Sequence, residues 1–246
     1  MSFDPPIIAF VVIVLLLAGL VKGVIGFGLP SISMGLLGLV MLPSQAAALL
    51  LVPNIVTNVM QGLSGPALVP LLKRLGIFLA TTVAGSLAWE WVTGGREFRG
   101  ATQLLGLTLV IYALLGLFRI RFTVRPAHEG WIGAACGLST GAMTVATGVF
   151  VIPSGPYLQA IGLEKDELVQ ALGLSFLVAS VSLGLVLWLR GSLGAGVAGS
   201  SAAALIPAMG AMFAGQWLRV RISADLFRKL FFSGLLALGA LLMLKG

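Results

Sequence analysis

Long apolar runs separated by short polar or Gly/Pro-rich stretches dominate the chain, and the runs have the length of helices rather than strands. Ten helical segments are predicted. The first half holds one at about 6–23, a short one at about 28–42, and three more at about 44–64, 75–93 and 98–118. The second half repeats the order: about 128–147, a short 148–160, then 165–189, 193–218 and 224–244. At a rise of about 1.5 Å per residue the long segments cross the roughly 30 Å core of a bilayer, whereas the short ones reach only about 20 Å. The short ones are expected as half-helices or thinned spans. Pro5 and Pro6 suit a helix start, and Asp166 and Glu167 place negative charge in a helix first turn.

The residues repeat as well as the segments. Gly19-Leu20-Val21-Lys22-Gly23 returns as Gly137-Leu138-Ser139-Thr140-Gly141, each followed by a further glycine (Gly28, Gly148) and a proline (Pro30, Pro153). Phe98-Arg99 opens the last helix of one half and Phe227-Arg228 that of the other. The predicted fold is an all-α integral membrane protein. It has two membrane repeats, 1–125 and 126–246, of about five helical segments each. Together they form one transport domain with broken or short helices near the midplane. Matched breaks in a duplicated hydrophobic chain point to the binding site of a secondary transporter.

Composition supports lipid as the main solvent: 59% of the 246 residues are hydrophobic and 9% are charged, against about 25% charged in soluble domains. The net charge of +7 does not point to nucleic acid. The cations stand in ones, twos and threes between apolar spans, with no basic stripe, aromatic stacking pattern or zinc spacing. With five crossings per half, one face collects Lys73, Arg74, Arg119, Arg121, Arg125, Lys165, Arg219, Arg221, Arg228 and Lys229. The other collects Arg96, Arg99, Arg190 and Lys245. The positive-inside rule then predicts inverted repeats, a cytoplasmic linker around 119–128, and both termini outside. The first apolar run lacks a basic leader and is expected to be retained. Cys136 is a lone cysteine, so no internal disulfide forms, and it reads as a packing residue.

Candidate chemistry concentrates in three places. Residues 19–30 hold four glycines and a proline, including Gly23, Gly26, Phe27 and Gly28, poor material for a continuous helix. The matching stretch 137–153 carries Ser139, Thr140, Thr144, Thr147 and Gly148. Two facing breaks would present backbone N–H groups to an anion; the alternative role of such glycines is close helix packing. Lys22 is the strong cation of the first break, its counterpart being Thr140. It either marks a functional site or snorkels to the interface. Asn54, Thr57, Asn58 and Gln61 follow Pro53, with Asn54, Asn58 and Gln61 on one helical face; Ser175, Ser180 and Ser182 stand in the corresponding region. These groups suit oxyanion oxygens or interhelical hydrogen bonds. Glu90, between Trp89 and Trp91, is expected to be wetted at an interface, with proton coupling as the sharper reading. His128-Glu129 is expected to be solvated, and Asp225 to lie near Arg228 and Lys229. No enzyme motif occurs, and no cofactor or metal is expected.

The Gly19-Leu-x-Lys-Gly…Gly26-Phe-Gly28 opening, the duplicated halves and the length resemble the sulfite exporter TauE/SafE family, also called the toluene sulfonate uptake permease family. The resemblance covers nearly the whole chain. It implies a multi-pass inner (plasma) membrane carrier of small sulfur-containing anions such as sulfite, sulfoacetate or other organosulfonates. The matching positions are the first broken stretch, Lys22 through Pro30, and its partner, Ser139 through Pro153. The second copy is richer in threonine than the family pattern. The expected partners are a small anion and the lipid bilayer, with no nucleic acid; a homodimer is compatible with this reading. The expected mechanism is alternating access, with proton coupling as a hypothesis. An anion channel and a membrane-embedded lipid-modifying enzyme are the alternatives, as is a purely structural membrane subunit.

Overall fold

The computed structural model describes residues 4–96, 98–120 and 122–245, without the side chain of Ala224. Arg121 of the predicted basic face therefore lies outside the described residues. The chain forms helices α1 (Pro5–Ile25), α2 (Leu29–Leu37), α3 (Pro43–Leu49), α4 (Leu51–Leu63), α5 (Leu68–Thr93) and α6 (Ala101–Leu117). After a 3-10 turn at Pro126–His128 come α7 (Glu129–Thr147), α8 (Ser154–Ala160), α9 (Lys165–Leu189), α10 (Ala195–Leu218) and α11 (Ala224–Leu244). No strand occurs among the described residues. Five helices (α1, α5, α9, α10 and α11) are long and apolar enough to cross a membrane, and the α3–α4 pair makes a sixth across a 53° bend.

Two departures from the expected segments have local causes. The predicted segment 44–64 is two helices. Pro53 has no N–H to offer the Leu49 carbonyl, and the chain bends before Leu51. The ladder holds on either side, Leu50 N–H donating to Ala46 O at 3.0 Å and Asn54 N–H to Leu50 O at 2.9 Å. α5 begins at Leu68 rather than about 75, so Lys73 and Arg74 lie inside it. Arg74 is accommodated because its guanidinium is paired at once, to Glu129 Oε1 at 2.8 Å and Oε2 at 3.0 Å.

The short segments are shorter than expected. α2 has 9 residues and α8 has 7, about 13 and 10 Å of rise, so neither crosses. α8 returns to the end from which α7 departs. Arg74, which holds Glu129 at the start of α7, also donates to Ile161 O at 2.7 Å. Tyr157 O–H donates to Glu129 O at 3.2 Å, and Val124 N–H to Ala160 O at 2.9 Å. α7 and α8 thus form a dipping hairpin. Glu129 is pinned by this clasp rather than solvated as expected. At the end of α2, Lys245 beyond α11 donates to the carbonyls of Gly38 and Leu39.

The repeated glycine motif forms two packing seams. A methyl on Gly19 would stand 2.2 Å from Ala208 O, and one on Gly23 2.1 Å from Met212 O. In the second copy, a methyl on Gly137 would stand 2.3 Å from Phe78 O, and one on Gly141 2.0 Å from Thr82 O. α1 therefore lies backbone to backbone on α10, and α7 on α5, as small residues permit in membrane helices. In both seams the contacts advance in the same direction along the two helices, so each pair is parallel. α4 and α9 pack in opposite directions, Gly62 meeting Gly173 and Gly184 meeting Leu51. So do α6 and α11, where Gly106 meets Gly239 and Gly116 meets Phe232. Gln170 on α9 stitches the α4–α5 turn. Its amide N–H groups donate to Gly62 O at 3.0 Å and Gly65 O at 2.9 Å, and its oxygen accepts from Ala67 N–H at 3.1 Å.

Candidate functional site

The first break is later and shorter than the glycine content suggests. α1 continues through Gly19 and Gly23 and ends after Ile25. Gly26, at φ 85°, turns the chain into the left-handed region with its N–H bonded to Lys22 O at 2.8 Å, and Gly28, at φ 104°, precedes α2. A side chain is disfavoured at both angles. In the second half the helix likewise runs unbroken through Gly137 and Gly141, and the break falls at 148–153, beginning with Gly148 at φ 73°. α2 connects the two breaks: a methyl on Gly148 would lie 2.5 Å from Met34 Cε.

Lys22 sits one turn before the first break and is 3% exposed. It turns inward rather than snorkelling. Its ammonium donates to Thr57 Oγ1 at 3.0 Å and to Asn58 Oδ1, both on α4. Thr57 can accept because its own hydroxyl donates to Pro53 O at 2.6 Å. The helices α1, α2, α4 and α10 contain no Asp or Glu, and Lys22 makes no ion pair among the described residues. The Asn58 amide nitrogen and the Asn54 amide oxygen are buried without a partner. The same holds for the hydroxyls of Ser31 and Ser33 on α2, Thr140 on α7 and Ser175 on α9. Burying so many unpaired polar groups is costly unless something else completes them.

The structure brings Lys22, Thr57 and Asn58 into direct contact, with Asn54 one turn away on α4. Gln61 is engaged elsewhere, its amide donating to Val169 O at 2.8 Å across the α4–α9 seam. Phe27 joins an aromatic cluster, its ring centroid 6.4 Å from Tyr112 and 6.1 Å from Phe231. Thr144 and Thr147 donate to carbonyls one turn back, Thr140 O and Met143 O, each at 2.7 Å. Ser139 is exposed on the outer side of α7 and donates to Ala135 O at 2.9 Å. Gly23 serves the α1–α10 seam. Ser31 and Ser33 escaped the sequence reading; the one available signal was a Ser-x-Ser directly after Pro30. Glu90 is not wetted. It accepts from Arg190 Nε at 2.8 Å, with the two side chains 16% and 12% exposed. Asp225 pairs with Arg228 at 3.1 Å and Lys229 at 3.2 Å as expected, and also with Arg119.

Spanning helices, two helical breaks at corresponding places and an unpaired buried cation beside one of them define a polytopic membrane protein built around an intramembrane polar site. The chain belongs to the sulfite exporter TauE/SafE family, whose model matches residues 11–242. It is therefore a multi-pass membrane protein of a transporter family, not of an enzyme family. Comparison with curated proteins and with solved structures finds no match.

Proposed function

We propose that the protein is a secondary transporter of small sulfur-containing oxyanions, such as sulfite, sulfoacetate or another organosulfonate, across the inner membrane. The observation that carries this reading is the surplus of donors at the first break. Lys22 and the Asn58 amide nitrogen lie side by side, buried, with no carboxylate on α1, α2, α4 or α10. An oxyanion supplies both the charge and the acceptor oxygens this arrangement lacks.

Alternating access is the mechanism that this architecture favours, with the two halves rocking about the breaks and a proton gradient as the driving force. The two repeats, 1–125 and 126–246, are read as inverted. Supporting this, α4 and α9, which hold corresponding places in the element order, pack in opposite directions, as do α6 and α11. The linker is read as cytoplasmic, a reading its basic residues support. The test is thermal stabilisation of the purified protein by sulfite, sulfoacetate, taurine, sulfate and a carboxylate control, with Lys22→Ala alongside. Selective stabilisation by a sulfur oxyanion, lost in the variant, is expected. Absence of any shift in folded protein defeats the reading.

A further inference from the structure

We propose that Lys22 is the coupling residue of the transport cycle, binding one proton together with each anion, so that the carrier moves either empty with a neutral amine or loaded with an ammonium–anion pair. This rests on the anion-site reading above and adds the stoichiometry and the group responsible.

α1 carries no charged residue between Pro5 and Ile25 other than Lys22. It packs on α10, α2 and α11, and the amine bonds to α4. α2, α4 and α10 have no charged residue. α11 holds Asp225, Arg228 and Lys229 in its first two turns, joined to one another and to Arg119. Behind α4, α9 keeps Lys165, Asp166 and Glu167 in its first turn. Tyr112 of α6 faces the break through Phe27 and packs among Phe231 and Phe232. Among the described residues no carboxylate pairs with Lys22.

An isolated ammonium in a desolvated site is strongly disfavoured. Two events relieve it: an anion arrives, or the proton leaves. A neutral amine still donates to Thr57 Oγ1 and Asn58 Oδ1, so the empty site keeps the same hydrogen bonds. Proton and anion therefore favour each other's binding, by the reciprocity of linkage. A monoanion then crosses without net charge. A lysine suits this cycle and an arginine does not, because a guanidinium stays protonated.

Two measurements test this. Calorimetric titration of the wild-type protein with methanesulfonate and with sulfite, in buffers of different ionisation enthalpy, reports the protons taken up on binding. Methanesulfonate is the cleaner probe because it is fully ionised throughout. About one proton per methanesulfonate is expected near the pH where the empty site is mostly neutral. Where only sulfite binds, its own titration is subtracted, and the same excess of about one proton is expected. The second measurement uses proteoliposomes containing Lys22→Arg, with the wild type as reference. Wild-type net uptake of the bound anion should follow the pH gradient and ignore an imposed potential. Lys22→Arg should retain anion exchange but lose net uptake by roughly tenfold or more. Binding without proton uptake overturns the coupling proposal while leaving the anion site intact, as does net uptake in Lys22→Arg that still follows the pH gradient. If Lys22→Arg does not fold, the wild-type titration alone decides. Failure of both anions to bind removes the site reading and this proposal with it.

Discussion

The break after Gly26 and the break after Gly148 occupy matching places in the two halves, yet they are chemically unlike. Both are turned by a glycine at positive φ whose N–H closes on the carbonyl four residues back, at 2.8 Å in each case. Both lie at the end of a helix laid closely on a partner through a pair of glycines four residues apart. One turn before the first break stands Lys22, bonded across to α4. At the matching place in the glycine motif the second copy has Thr140, two turns before its break, with its hydroxyl buried and unpartnered; Thr144, one turn before that break, and Thr147 are satisfied within their own helix. The two stretches share the backbone device and differ in charge, which is concentrated on one side. A symmetric scaffold needs equivalent packing at both seams, whereas a single anion needs only one cation.

That comparison can be broken at its chemical side first. Lys22→Met should lower oxyanion affinity by roughly 100-fold or more, the scale of removing one member of a buried charge pair. Thermal stability in detergent should hold or rise, because a buried amine that is costly to desolvate in either protonation state has gone; Thr140→Val should cost far less affinity. Equal losses from the two variants, read by titration calorimetry, would erase the claimed asymmetry. At the packing side the halves should behave alike. Gly23→Val and Gly141→Val each push a side chain into backbone atoms about 2 Å away. Both should destabilise by at least about 1–3 kcal/mol, the usual scale of overpacking. Folded yield and melting temperature check this, and a benign Gly141→Val would show that the second seam is not close.

Finer tests follow. Asn58→Asp supplies the missing carboxylate next to Lys22, so it should stabilise the protein thermally while weakening anion binding about tenfold, measured by thermal shift with and without sulfite. Glu90→Gln unpairs the largely buried Arg190. It should lower stability by about 1–3 kcal/mol, the cost of an unsatisfied buried group, without changing anion affinity. Ser139→Ala, on the exposed side of α7, should leave both stability and binding within measurement error.

Much of the fold was legible in the sequence because apolar length and Gly/Pro punctuation act locally. α1 and α9 to α11 lie within a few residues of their expected bounds. Pro53 was visible in the sequence, but the bend it permits was not expected. The early start of α5 was hidden because Lys73-Arg74 reads as a polar boundary along the chain, while the partner that holds Arg74 against the protein, Glu129, lies 55 residues away. Glu90 misled for the same reason, its partner Arg190 lying 100 residues on.

Composition and spacing alone set the solvent, the helical class and the short list of polar residues that a lipid environment makes expensive. Each of these follows from composition and spacing along one chain. Only the tertiary structure decided which polar residues are partners and which are left over. Gly19, Gly23, Gly137 and Gly141 went to packing, Gln61 to a seam and Ser139 to the outer surface, while Lys22, Thr57 and Asn58 came together. The physical reason is that a helix face acquires meaning from what is packed against it. Lys22 lacks a counter-charge because α2, α4 and α10 bring it no carboxylate.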